Sequence, residues 1–164
     1  MPPTFLACPT AIIEAPFGVV WRLLTNISGW GNFYDVRVIS VEPPGPAVKG
    51  QRMLGKAGPR WFHFFAVVVE YTRIDEANNK LELDLKLPFG ITVHEDLDCV
   101  PLEANRCRVN YHCNFTFPAG WRGSILRLLL NRELTTGPED SLSRLKRAAE
   151  QAFSDQKAKQ GVAG

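Results

Sequence analysis

The sequence predicts an α+β domain in which an antiparallel sheet is followed by a long C-terminal helix. From residue 36 onward, apolar segments of strand length are separated by turn sequences rich in Pro, Gly, Asp and Asn, with no helical segment between them. Region 121–153 then carries leucines and alanines at helical spacing. Two short helical segments stand between the first strand and the second.

Composition agrees with one globular domain. The chain has 164 residues, of which 45% are hydrophobic and 22% charged, and its net charge is +2. A chain of this size buries about 68–70% of the surface that it exposes when unfolded. The high hydrophobic fraction and the near-balanced charge exclude intrinsic disorder. A net charge of +2 also falls short of the clustered basic face that is typical of a nucleic-acid-binding protein.

The cysteines and apolar runs narrow the class further. Cys8, Cys99, Cys107 and Cys113 have no metal-ligand spacing and follow no secretory signal, so we expect free thiols in a cytoplasmic protein. The longest uncharged apolar run, 64–69, is far too short to span a bilayer, which predicts no stable membrane insertion.

The first strand covers about 5–14 and is interrupted by Pro9, which fits an edge strand because proline cannot donate to the ladder. Pro16 then opens a short helix, whose apolar residues recur at i, i+3, i+4 and i+7 from Phe17. Residues 26–33 form a turn or a second short helix.

Six further strands bring the predicted sheet to seven: 36–42, 51–56, 61–74, 80–87, 91–100 and 107–117. Within the final helix, Gly137-Pro138 predicts a kink, and the capping pattern from Thr136 to Glu139 offers a restart point. The domain therefore covers 1–153, and the polar residues 154–164 are expected to form a flexible tail.

Strand parity assigns side chains to the two faces of the sheet. The loop 88–90 pairs Leu85 with Val93 and Leu83 with Glu95, and the next hairpin pairs Glu95 with Cys113. A carboxylate is thus predicted on the apolar face. The inward residues of these strands that we select as pocket candidates are Leu83, Leu85, Val93, Glu95, Leu97, Tyr111 and Cys113.

The strand 61–74 is apolar on both faces, so its parity is less certain. A turn near Ala77 pairs Tyr71 with Leu83 and sets Glu70 opposite Asp84, a like-charge pair. A bulge or the opposite parity, with Glu70 inside, stays open. The register set by the turn near Ala77 directs inward the side chains of Trp61, His63, Phe65 and Tyr71.

The run His94-Glu95-Asp96 resembles a metal cluster only in sequence. Consecutive strand residues point to opposite faces and cannot converge on one ion, so we predict no metal site. Asp96 instead falls opposite His112 as an exposed cross-strand pair. Neither a glycine-rich phosphate loop nor a serine-nucleophile motif is present, so no cofactor is predicted.

The order of elements resembles the START-like (SRPBCC) superfamily, and within it the polyketide cyclase/dehydrase branch. The residues that carry the resemblance are Ile13-Glu14-Ala15-Pro16 with Val20-Trp21 and Leu24, Trp30 with Phe33, Gly50, Leu97-x-Cys99-x-Pro101, and Leu145-Lys146 with Glu150. It implies a helix-grip fold, a curved sheet wrapped around the long helix, with a cavity for a hydrophobic or aromatic ligand. It also places strand 1 at the sheet edge and the entrance near Tyr34. Many relatives carry histidine where this chain has Glu95.

Two functions follow from this resemblance. In the first, Glu95 is a desolvated general base in a cyclase- or dehydrase-like reaction, and Tyr111 orients a carbonyl of the ligand. In the second, the protein is a non-catalytic carrier of a lipid, quinone or other hydrophobic ligand, and Glu95 is a partly buried carboxylate bonded to Tyr111, Tyr71 or water. Either way we expect a monomer or homodimer. The ligand-binding candidates outside the strands named above are Tyr34, Leu130 and Leu134.

Overall fold

The computed structural model describes residues 2–34, 36–58 and 65–162. Within them the strands are β1 Thr4–Ala7, β2 Thr10–Ile13, β3 Val36–Glu42, β4 Arg52–Ala57, β5 Phe65–Asp75, β6 Lys80–Lys86, β7 Thr92–Glu103 and β8 Arg106–Thr116. The helices are α1 Phe17–Leu24, α2 Trp121–Leu129 and α3 Asn131–Val162, with 3₁₀ turns at Ile27–Asn32 and Pro88–Gly90. The predicted α+β class and the two short helices before the third strand are confirmed.

The strands form an antiparallel sheet in the order β1-β8-β7-β6-β5-β4-β3, and β2 also pairs with β8. β1 and β2 are the halves of the predicted first strand, separated at Cys8-Pro9. Pro9 has no N–H group to donate, but its carbonyl accepts a hydrogen bond from the Tyr111 amide at 2.9 Å. The edge position predicted from Pro9 is confirmed.

The predicted register is confirmed for the central hairpins, where Leu83 pairs with Glu95 and Glu95 with Cys113. β5 resolves the alternatives that the sequence leaves open. Tyr71 pairs with Leu83, and a register shift follows directly after it. Glu70 lies opposite Asp84 but faces outward, where Arg52 Nε is 2.7 Å from its carboxylate and offsets the like-charge pair.

The core lies between the inward face of the sheet and the helices. Its largest cluster joins α1, through Val20 and Leu24, to α3, through Leu142, Leu145 and Ala149. A smaller cluster contains Ile91, Phe117 and Leu134. Leucines and alanines that recur at helical spacing in the sequence thus lie on the packed side of α3.

The C-terminal helical region is divided at Leu130 and not at Gly137-Pro138. The predicted restart at Thr136 is wrong, because the Thr136 hydroxyl donates to the carbonyl of Arg132 at 3.1 Å, the i−4 bond of a residue inside a helix. α3 also continues past the predicted end at Phe153 to Val162. Much of the segment predicted as a tail is thus helical. None of the helices in the described residues is long and apolar enough to cross a membrane.

Candidate functional site

A pocket of about 310 Å³ lies between the inward face of the sheet and α3. Strand alternation gives it an apolar wall, because every second residue of the central strands points toward it. That wall includes Met53, Val67, Val69, Leu85, Leu87 and Phe115. Trp30 and Tyr34, from the 3₁₀ turn after α1 and the residues that follow it, border the same space, with ring centroids 4.9 Å apart.

The wall formed by α3 is different, because it carries polar and charged side chains. Glu133, Asp140, Ser141 and Arg144 line the pocket together with Gly137 and Pro138. These positions share one face of the helix, at spacings of three and four residues. The pocket is therefore amphipathic, with an apolar sheet side and a polar helix side.

Glu95 is the carboxyl group on the sheet side of this pocket. It lies on β7 and its relative exposure is 6%. Burial raises its pKa from 4.5 to about 7, while a hydrogen bond from Tyr111 and the nearby charge of His94 lower it in part. A carboxyl group with this pKa changes its protonation state near neutral pH, as a general acid or base requires.

Tyr111 joins Glu95 to Tyr34. Its hydroxyl lies within hydrogen-bonding reach of Glu95, Tyr34 and Cys113. A hydroxyl has one proton to donate, and an ionised carboxylate is the strongest of these acceptors. We therefore assign the order Tyr34 to Tyr111 to Glu95, in which each hydroxyl donates to the next group.

Burial keeps the neighbours of Glu95 in their neutral forms. Desolvation, followed by the nearby charge of Glu95, raises the pKa of both Tyr34 and Tyr111 well above 10.0. The same causes raise the pKa of the Cys113 thiol far from the range of a reactive thiolate. Glu95 is therefore the group of this cluster that titrates near neutral pH.

The structure places four of the candidates from the sequence at the pocket surface: Tyr34, Leu85, Glu95 and Tyr111. Others are buried behind the surface in the core of the sheet: Tyr71, Leu83, Val93, Leu97 and Cys113. Tyr71 has a structural partner, since its hydroxyl donates to the carbonyl of Leu24 at 2.6 Å.

The remaining candidates lie at the periphery or outside the described part of the chain. Phe65 keeps the predicted parity but begins β5, where it is 42% exposed and faces Phe89, with ring centroids 6.3 Å apart. Leu134 packs in the smaller core cluster, with Leu130 half-buried beside it. Trp61 and His63 fall outside the described residues.

The sequence reasoning missed the polar wall of α3. It followed the leucine phase, which marks the packed side of the helix. A signal for this wall was present in the sequence. Polar residues between Glu133 and Arg144 recur at spacings of three and four, as the leucines do, and so mark a second face of the helix.

No group of three potential metal ligands occurs in residues 2–34, 36–58 and 65–162. Asp96 does lie opposite His112 as predicted, but the histidine on this outer face with a hydrogen-bonded carboxylate is His94, whose Nδ1 is 2.7 Å from Asp84 Oδ1. These groups lie on the face of the sheet opposite Glu95.

Residues 9–150 match the sequence profile of the family described as polyketide cyclase/dehydrase and lipid transport. The chain therefore belongs to the polyketide cyclase/dehydrase and lipid transport family. This confirms the resemblance read from the sequence, since the match covers most of the chain. A search of curated proteins finds no match.

Solved structures share the fold of this family member. Norcoclaurine synthase from Thalictrum flavum superposes with a TM-score of 0.67 at 13% identity, covering 96% of this chain and 98% of that one. The ZhuI aromatase/cyclase from Streptomyces sp. R1128 gives 0.70 at 16% identity, with 91% and 95% covered. A protein from Thermus thermophilus gives 0.65 at 19% identity, with 90% and 99% covered. At these identities the likeness is one of fold.

Proposed function

We propose that the protein binds a small hydrophobic molecule, with an aromatic ring and a carbonyl group, in the pocket under α3, and that Glu95 acts on it as a general base. The observation that carries this proposal is a buried carboxyl group with a pKa of about 7 at an otherwise apolar pocket wall, hydrogen-bonded by Tyr111. A base of this kind is needed where a proton must leave a weakly acidic carbon.

The ligand class follows from the two walls. A volume of about 310 Å³ is at the lower end of the range for small-molecule sites, so the ligand is small. The apolar sheet wall suits a ring system, and the polar groups of α3 suit hydroxyl or carbonyl oxygens at its edge. Glu95 then lies on the side where the ring system packs.

The chemistry is proton transfer next to a carbonyl. Ionised Glu95 takes a proton from the carbon beside the carbonyl, and the electron pair of the C–H bond moves to the carbonyl oxygen to give an enolate. The Tyr34 hydroxyl, neutral at this pH, can turn from Tyr111 and donate to that oxygen. The carbon of the enolate then attacks a second carbonyl, whose oxygen takes the proton back from Glu95 to become a hydroxyl group. Alternatively, the enolate expels a β-hydroxyl group, which leaves as water with that proton.

Fold relatives support the ligand class by analogy. Norcoclaurine synthase has been solved in complex with dopamine and hydroxybenzaldehyde, both aromatic, and ZhuI is named an aromatase/cyclase. Fold alone does not carry function, so the argument depends on the residues of this pocket.

The second candidate is a carrier of a hydrophobic ligand, lipid or quinone. It is favoured by the apolar sheet wall, which binds such a molecule without any reaction. In that case Glu95 anchors a polar group of the ligand. The two candidates differ in what the loss of the Glu95 charge does.

The test uses 2-tetralone, an aromatic ketone with exchangeable protons beside its carbonyl. Exchange of these protons in deuterium oxide is followed by NMR, and binding is measured by calorimetric titration. We expect the wild type to accelerate exchange. In Glu95→Gln the catalysed exchange rate should fall by at least about 100-fold, while the variant still binds the ketone. Glu70→Gln, which alters a carboxylate on the outer face, is the matched control and keeps full activity.

Two outcomes would contradict the proposal. Binding without exchange above the buffer rate removes the general-base role and leaves the carrier. If Ala57→Trp, which fills one end of the pocket, binds the ketone as well as the wild type, the pocket itself is not the binding site.

A further inference from the structure

Helix α2 exposes large apolar side chains to solvent. Trp121 is 71% exposed, Ile125 46%, Leu128 77% and Leu129 71%. They recur at i, i+4, i+7 and i+8 and so form one stripe. Phe89, 67% exposed, borders the same groove as Trp121 and Ile125. We call these five residues the α2 apolar face.

α2 packs on the protein through its opposite side, which leaves the α2 apolar face exposed to solvent. Its buried residue is Gly123, where a Cβ atom would lie 1.8 Å from the carbonyl oxygen of Pro118. The helix thus rests on the preceding chain through its smallest residue. Single exposed apolar residues are common, but a contiguous apolar patch marks an interaction surface.

The charges around the face have one sign. Arg122, Arg127 and Arg132 are exposed along and just beyond α2, and the guanidinium of Arg122 lies 5.7 Å from the ring centre of Trp121. The sequence contains no acidic residue between Glu103 and Glu133. Apolar side chains with flanking arginines and a tryptophan are typical of helices that lie in the interface of an anionic membrane.

The face lies at one end of the pocket. Leu87, which lines the pocket, is two residues before Phe89, and Glu133, which also lines it, follows α2 within the first turn of α3. A surface bound at this face would therefore lie beside the pocket.

We propose that the α2 apolar face docks the protein on the surface of a membrane rich in anionic phospholipid. The apolar side chains enter the interfacial layer while the arginines contact the lipid phosphates. The nine residues of α2 lie in the plane of the interface and do not span the bilayer. This inference does not depend on the chemistry of Glu95.

A second copy of the chain fits the face less well. A symmetric dimer brings each patch against the same patch of its partner. That arrangement would place six arginines around one apolar contact with no acidic residue of the surrounding segment to offset them. Anionic lipid, in contrast, neutralises all of these charges.

The test is co-flotation of the full chain with vesicles of phosphatidylcholine alone or mixed with phosphatidylserine. We expect binding to the mixed vesicles at low salt and its loss at about 1 M salt, where the Debye length is about 3 Å. Leu128→Ser/Leu129→Ser should abolish binding. Arg127→Gln/Arg132→Gln should weaken it by about fivefold per arginine.

The matched control is Leu6→Ser/Ile39→Ser, which removes two exposed apolar side chains, 62% and 53% exposed, elsewhere on the sheet. It should bind mixed vesicles like the wild type. Equal binding to neutral and anionic vesicles, or equal losses in the control and in Leu128→Ser/Leu129→Ser, overturns the proposal. So does a concentration-dependent dimer that Leu128→Ser/Leu129→Ser disrupts while vesicles are not bound, since the face is then a self-association surface.

Discussion

Glu95 on β7 and Tyr111 on β8 are hydrogen-bonded to each other across a diagonal of the sheet, although neither is the register partner of the other. Glu95 lies opposite Cys113, and Tyr111 opposite Leu97. Diagonal neighbours on one face are within reach of long side chains. Burial favours the neutral form of Glu95, and the hydrogen bond that Tyr111 donates favours the ionised form.

Tyr111→Phe is expected to raise the pKa of Glu95 further above about 7. The hydroxyl of Tyr111 favours the ionised carboxylate, so its removal leaves desolvation less opposed. NMR of protein labelled at glutamate, with the Glu95 signal assigned by its absence in Glu95→Gln, measures the titration directly.

Tyr71→Phe is the control for this shift, because its hydroxyl is committed to the Leu24 carbonyl. Its Glu95 signal should titrate like that of the wild type. An unchanged titration in Tyr111→Phe would mean that Tyr111 does not donate to the carboxylate.

Glu95→Gln is expected to change how stability depends on pH. Because the folded-state pKa of Glu95 is raised from 4.5 to about 7, its protonated form contributes stability that is fully present below pH 4.5 and is lost as the pH rises through about 7. The loss amounts to roughly 3 kcal/mol for a shift of this size. The glutamine variant lacks this dependence.

Urea unfolding of both proteins near pH 4.5 and near pH 8 measures the effect, because all other titrating groups cancel in the difference between them. The variant should gain on the wild type by roughly 3 kcal/mol between the two conditions. Parallel stability curves would show that Glu95 titrates alike in the folded and unfolded states.

Tyr71→Phe is expected to lower the free energy of unfolding by about 1–2 kcal/mol. The buried hydroxyl donates to the Leu24 carbonyl at 2.6 Å, while Trp30 Nε1 also donates to that oxygen at 3.2 Å and keeps it satisfied in the variant. Binding of 2-tetralone should be unchanged, since Tyr71 lies behind the pocket wall. Urea unfolding and calorimetric titration check the two parts; weaker binding with unchanged stability would instead make Tyr71 a ligand contact, as its strand parity predicted.

The sequence predicts the register well because parity and turn length are local properties. Loop 88–90 fixes which residues of β6 and β7 are opposite, and one buried face then places Glu95 inside. Parity cannot tell the surface of the pocket from the core behind it. Leu83 and Leu85 share a face, yet only Leu85 borders the open space.

Features that depend on contacts between residues far apart in the chain could not be predicted from the sequence. The division of the C-terminal helical region at Leu130 has no glycine or proline signal, while Pro138 lies inside a continuous α3. The bond from Tyr71 to Leu24 joins residues 47 positions apart. Neither can be read from propensity or period, because each depends on how α1, α2 and α3 pack on the finished sheet.

Two glycines of the C-terminal helices should differ in their response to alanine. At Gly123 the new methyl group would lie 1.8 Å from the Pro118 carbonyl oxygen, so the backbone of α2 must move. We expect Gly123→Ala to cost about 2–3 kcal/mol of stability. At Gly137 no atom beyond the adjacent residues and the local helix backbone lies within 4 Å of the added carbon. Pro138 follows directly, and its ring crowds the Cβ of a helical residue before it, which offsets the usual gain of alanine over glycine inside a helix. Gly137→Ala should therefore leave stability nearly unchanged. Thermal and urea unfolding of the two variants separate the cases, because both make the same chemical change. A similar loss in both would contradict the open space beside Gly137, and no loss in Gly123→Ala would show that α2 is not seated on Pro118.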